Sequence, residues 1–155
     1  MPVEACYGCG WRVEGGYAGC KSRFDEFLAR DFNDALYFRT HRLLVDTYCL
    51  QHPDDYCASA KSLAAHLVGL CWILEEGASP AVGPAELHRW LNGAVGIEMP
   101  IVPAHRGAMT IGDLKLSAGA AEWDCIVHEW ASRTWDAYSS LHATARGWLA
   151  AARTS

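Results

Sequence analysis

Cys6-x-x-Cys9, followed at once by Gly10, places two thiols at a spacing that reaches one metal ion, and Cys20 follows after ten more residues. Two thiolates so spaced fit a tetrahedral site, and the neighbouring glycines let backbone N–H groups turn toward the sulfurs, so the pattern reads as a zinc knuckle. Redox dithiols share the spacing, but they normally lie between a strand and a helix N-terminus, and no strand is expected before Cys6. Hairpin arithmetic supplies a fourth ligand. Antiparallel helices turning near Asn33 bring Cys20 level with the end of the next helix, which carries Cys49 and His52. A further turn at Asp54-Asp55 returns Cys57 to the same end. The expected Zn2+ ligands are therefore Cys6, Cys9, Cys20 and His52, with Cys49 as the substitute for His52. Cys49 and Cys57 otherwise read as small buried hydrophobes, as do Cys71 and Cys125 on apolar helix faces.

The histidines offer a second chemistry. His41, Val45, Tyr48 and His52 recur at i, i+4, i+7 and i+11, along one helix face. Counting outward from Asp54-Asp55 puts His41 and His66 at one level, and His66 lies inside an apolar run, where a buried imidazole can act as a base or a ligand. His128 and His142 could complete a three-histidine site, supported by Glu129, Asp136 or Asp46. If the chain is an enzyme, His41, Asp46, Tyr48, His66 and His142 are the residues expected to act on a small-molecule substrate. His66 would then be the base or ligand, with Asp46 and Tyr48 orienting it. A single buried histidine is more often a satisfied core residue, and no compact His-x-x-x-His motif supports a second metal.

The elements that must position these groups are helical. Residues 1–21 form an irregular loop rich in Cys and Gly, too poor in apolar surface to order itself without metal. Residues 22–76 carry three helices: one capped by Ser22, one restarting at Asn33 or Asp34 and ending at His52-Pro53, and one from about Tyr56 to Glu76 closed by Gly77. Residues 77–119 are an irregular connection with one short helix behind Pro84. Residues 120–152 hold the terminal helices, with a break at Ser139-Ser140. The expected class is all-α, a single domain built as a four- to five-helix bundle. Most of the Trp residues fall at core spacing.

Composition excludes several functions. The 155 residues are 51% hydrophobic and 20% charged with a formal net charge of −5, which excludes disorder and disfavours nucleic-acid binding and anionic membranes. No stretch is apolar and long enough to span a membrane. Seven cysteines, an odd number, without an export signal point to a reducing cytosol rather than a disulfide scaffold.

Two blocks, HRLLVDTYCLQHP at His41 to Pro53 and SAKSLAAHLVGLCWILEEG at Ser59 to Gly77, resemble a bacterial domain family of unknown function. The CxxCG start, Cys20 and the stretch from Trp130 through His142 to Trp148 also fit. The resemblance implies roles for Asp46, Tyr48, Gln51, His52, His66 and His142 beside the N-terminal cysteines, and implies no reaction. The rival to an enzyme is a non-catalytic metal or thiol sensor, or a protein-binding module with an apolar face around Trp90 and Ile97 to Val102.

Overall fold

Ser59 and Gly77 bracket the longest apolar run of the sequence, and the helix between them packs against most of the others. The computed structural model describes residues 1–155. About 63% of them are helical. After a short hairpin of β1 (Val3–Ala5) and β2 (Arg12–Glu14) come α1 (Tyr17–Asn33), α2 (Ala35–Phe38), α3 (His41–Gln51) and α4 (Pro53–Tyr56). Then follow α5 (Ala60–Glu76), α6 (Ala85–Asn92), α7 (Ala120–Ala137) and α8 (His142–Thr154). Five of these helices have eleven or more residues and form the bundle. Its class is all-α.

Local chemistry sets the boundaries. The Ser59 hydroxyl accepts from the Ser62 N–H at 3.1 Å, and Gly77 ends α5 at φ +70°, a conformation that favours glycine. Asp34 caps the one-turn α2 by accepting from the Leu36 N–H, so the expected second helix is split and its main part begins only at His41. Pro53 opens α4, whose turn fills the gap before α5. α3 packs on α5 and α7, and α5 on α8 and α6. A continuous cluster of 32 buried residues links them, with Trp123, Trp130, Tyr48 and Tyr138 its largest fully enclosed side chains. Trp90 is also buried, so of the expected apolar face only Met99 and Ile101 stand out in solvent.

The N-terminal segment departs from the expected irregular loop. β1 pairs antiparallel with β2, in the register Val3 to Glu14, Glu4 to Val13 and Ala5 to Arg12. A strand does precede Cys6, but it leads through the Cys6–Cys9 turn into a second strand and not into a helix. α1 then starts at Tyr17, ahead of Ser22, which puts Cys20 on its first turn. Neither strand presents a buried residue, so the hairpin has no core of its own.

Candidate metal centre

Cys6 at the end of β1, Cys9 in the turn, Cys20 on α1 and His52 at the end of α3 converge. Their ligand atoms all lie within 4.8 Å of one another. His52 Nε2 is 3.4 Å from both the Cys6 and Cys20 sulfurs, and the Cys9 and Cys20 sulfurs are 3.8 Å apart. Cys6, Cys20 and His52 are buried, and Cys9 is half-buried at the edge. This group could hold a metal ion.

Each ligand is aimed by its surroundings. The Cys6 N–H donates to Trp11 O and Gly10 N–H donates to Cys6 O, both at 2.8 Å, which closes the Cys6–Gly10 turn. Gly10 sits at φ +82°, and a Cβ on Gly8 would collide with the His52 ring. Both glycines are thus needed by the site. His52 places Nδ1 2.7 Å from Tyr48 O, and since a carbonyl only accepts, Nδ1 carries a proton; Nε2 faces the sulfurs, donating to them when protonated and offering its lone pair to a cation when not. Tyr48 stacks on His52 at 4.0 Å and on Phe24 at 3.8 Å, with its hydroxyl 3.5 Å from the Cys20 sulfur. Arg106, from the long connection, donates to Gly8 O at 2.8 Å and clamps the turn from outside.

The electrostatics favour ionised sulfur at Cys6. Hydrogen bonds from the Cys20 and Cys9 thiols, outweighing burial, and further ones from His52 and the Cys9 backbone N–H hold it well below the usual thiol range. Cys20, the neighbour of that thiolate, is pushed up by its contacts with Cys6 and Cys9 and by burial. For His52, burial lowers the pKa, but the bonds to Cys6, Cys9 and Tyr48 O outweigh it and raise it to about 9. Three thiols and an imidazole here compete for few protons, which is the condition in which a cation replaces them.

The other sequence candidates fall elsewhere. Cys49 is buried outside the group, its thiol pushed up by desolvation, and so does not serve as the substitute ligand. Cys57, near Cys49 O at 3.6 Å, is pushed up to about 12 by burial and belongs to the core, as does Cys71. Cys125, by contrast, is exposed on α7. His41 and His66 do not face each other. His41 bonds to buried Asp31 at 3.0 Å, and His66 bonds to buried Asp46 at 2.9 Å, a carboxylate also held by Arg42 at 2.7 Å. The level of His66 is therefore Asp46 rather than His41, because α4 moves the pivot of the hairpin past Asp54-Asp55 to about Tyr56. His142 donates through Nε2 to Trp135 O at 2.8 Å while stacking on its indole at 3.9 Å. His128 uses Nδ1 on Asp124 O. Of the five residues expected around a substrate, Asp46 and His66 are brought together, while His41 and His142 take other partners and Tyr48 stands in the wall of the metal centre.

Sequence reasoning missed two supports, Asp31 and Gly69, and only the resemblance pointed to a third, Gln51. Asp31 is a fully buried carboxylate whose Oδ1 has no partner. Gly69 makes room for Asp46, since a Cβ there would stand 2.5 Å from Oδ2, and a glycine inside an apolar helical run was the available signal. Gln51 joins α3 to the long connection and α7: its amide donates to Arg106 O and Met109 O, and its carbonyl accepts from Trp130.

The chain belongs to DUF5946, a family of unknown function, whose model matches residues 4–139. All four ligands lie inside the matched span and His142 lies outside it. No curated protein and no solved structure matches the chain. No helix is long and apolar enough to cross a membrane.

Proposed function

We propose that the protein is a non-catalytic module in which one structural Zn2+, bound by Cys6, Cys9, Cys20 and His52, pins the N-terminal hairpin to the helical bundle. One observation carries this: three separations among the four clustered ligand atoms match the edges of a zinc tetrahedron. Zn–S bonds of about 2.3 Å and a Zn–N bond of about 2.0 Å put sulfurs about 3.8 Å apart and sulfur and nitrogen about 3.5 Å apart. The corresponding distances are 3.8 Å and 3.4 Å. Three soft thiolates and one imidazole select zinc over the oxygen-seeking cations. Four protein ligands leave no open position for substrate, which separates a structural site from a catalytic one. A reducing cytosol suits three thiolates kept as ligands.

Elemental analysis of protein purified without added metal tests the reading. About one zinc per chain is expected, lost in Cys6→Ser and kept in His66→Ala. Chelation should open residues 1–16 to proteases before the helices melt. Absence of metal, or helices melting first, would overturn it.

A histidine acid–base enzyme is the second reading, favoured by the Asp46–His66 pair. Asp46 orients the imidazole through Nδ1, as a general base requires, and the His66 side chain is 15% exposed. NMR titration of the His66 ring, with carbethoxylation of Nε2, tests it. A ring that neither titrates nor reacts removes this reading.

A further inference from the structure

The four ligands are unequally protected. Cys6 is 1% exposed and Cys20 and His52 are fully enclosed, so a reagent reaches the centre only through half-buried Cys9. Cys9 Sγ stands 3.8 Å from Cys20 Sγ; His52 Nε2 lies equally close to the Cys6 and Cys20 sulfurs, and Cys6 alone also takes the Cys9 backbone N–H. Besides the ion, the hairpin is held to the bundle by the exposed Tyr7–Asp55 bond, by half-buried Arg106 to Gly8 O, by Tyr7 stacked on Tyr17, and by half-buried Trp11 and Val13 against the core. Losing the ion would therefore loosen the segment, since it removes all four ligand bonds and leaves half-buried contacts and one exposed bond, which contributes little.

We propose that Cys9 is an oxidation site, and that hydrogen peroxide or an organic hydroperoxide converts Cys9 and Cys20 into a disulfide, expelling zinc and loosening the hairpin. The proposal rests on the zinc reading above. The Cys9 thiolate attacks the peroxide, the O–O bond breaks, and Cys9 becomes a sulfenic acid while the departing hydroxide (alkoxide, from an organic hydroperoxide) takes a proton to form water (the alcohol). The Cys20 thiolate then attacks the Cys9 sulfur. An S–S bond forms and the S–O bond breaks, and the second hydroxide is protonated to water. Two thiolates lose two electrons, one peroxide gains them, and two protons come from solvent. Only Cys6 and His52 remain as ligands, too few for the closed tetrahedral site. A dithiol reductant with zinc reverses the change.

The test uses the full-length Cys125→Ser protein, which removes the one exposed thiol. Zinc is measured before and after hydrogen peroxide with a chromophoric zinc indicator, and disulfides are mapped by peptide mass spectrometry. The expected result is one zinc released per Cys9–Cys20 disulfide, with residues 1–16 becoming protease-sensitive and dithiothreitol plus zinc restoring protection. In the untreated protein, N-ethylmaleimide should modify Cys9 about tenfold faster than Cys6 or Cys20. Protein that starts without zinc overturns the metal reading and this one together. Protein that starts with zinc and keeps it under peroxide overturns only the switch. Release with a Cys6–Cys9 disulfide, or with over-oxidised Cys9 and no disulfide, overturns the pairing.

Discussion

The two ends of α3 handle polar chemistry in opposite ways. At its C-terminal end, His52 meets three sulfurs from the hairpin and α1, and four ligand atoms face one point with no acid or base dedicated to each. At its N-terminal half, His41 has Asp31, and Asp46 has both His66 and Arg42. There His41, His66 and Arg42 each have a carboxylate partner, and a cation would have to displace one of them. Histidines and acids on a helix face are therefore weak pointers to a site. Convergence of mutually unsatisfied donors is the stronger one. The first region needs something added to be stable; the second is stable as it stands.

The sharpest break of that comparison is Cys20→Ser. It should abolish zinc binding and lower stability by about 4 kcal/mol, less than the ~10–16 kcal/mol of free-standing zinc fingers because the bundle has its own core. Elemental content and urea unfolding measure it; Cys71→Ser, far from the ion, should cost about 1 kcal/mol and keep the metal. Next, Asp46→Ala should destabilise by about 3 kcal/mol, since Arg42 and His66 lose their shared partner, yet leave zinc stoichiometric. A drop in zinc there would mean that the two regions are coupled. Gly8→Ala pushes a methyl group into the His52 ring and should weaken metal affinity about tenfold, read by competition with a zinc chelator.

The smallest effect belongs to Asp31→Asn. Burial raises the Asp31 pKa above its ordinary 3.8, against the opposing pull of His41 and Arg30. The folded state therefore holds this proton when the unfolded chain has released it. Its contribution to stability grows as pH falls through the folded value and is lost as pH rises above it. Asparagine should change stability at pH 7 by no more than about 1 kcal/mol and flatten the acid side of the profile, from pH 3.8 upward. An unchanged acid slope in urea midpoints would show that Asp31 does not set it.

Much of this was legible from residue order. The stop at Gly77 and the split near Ser139 follow from local backbone preferences, and so does the helical class, whereas α5 starts behind Ser59 and not at the expected Tyr56. The pairing of His41 with His66 failed for a definite reason. Counting levels across a hairpin assumes a tight turn, and the extra turn of α4 shifts the register by more than a helical pitch can forgive. The same counting tolerated error at Cys20 and His52 because both stand at the ends of their helices, where a wide range of registers still meets. The exposure of Cys125 and burial of Trp90 were settled by which faces α7 and α6 turn inward.

The sequence by itself determined the helices, the Cys6-Cys9 turn and the thiol and imidazole supply, because those depend on neighbours within a few residues. Only the tertiary structure decided which acid each histidine takes and which thiol faces solvent. Those outcomes depend on contacts between residues tens of positions apart, whose distances are fixed by packing and not by spacing along the chain.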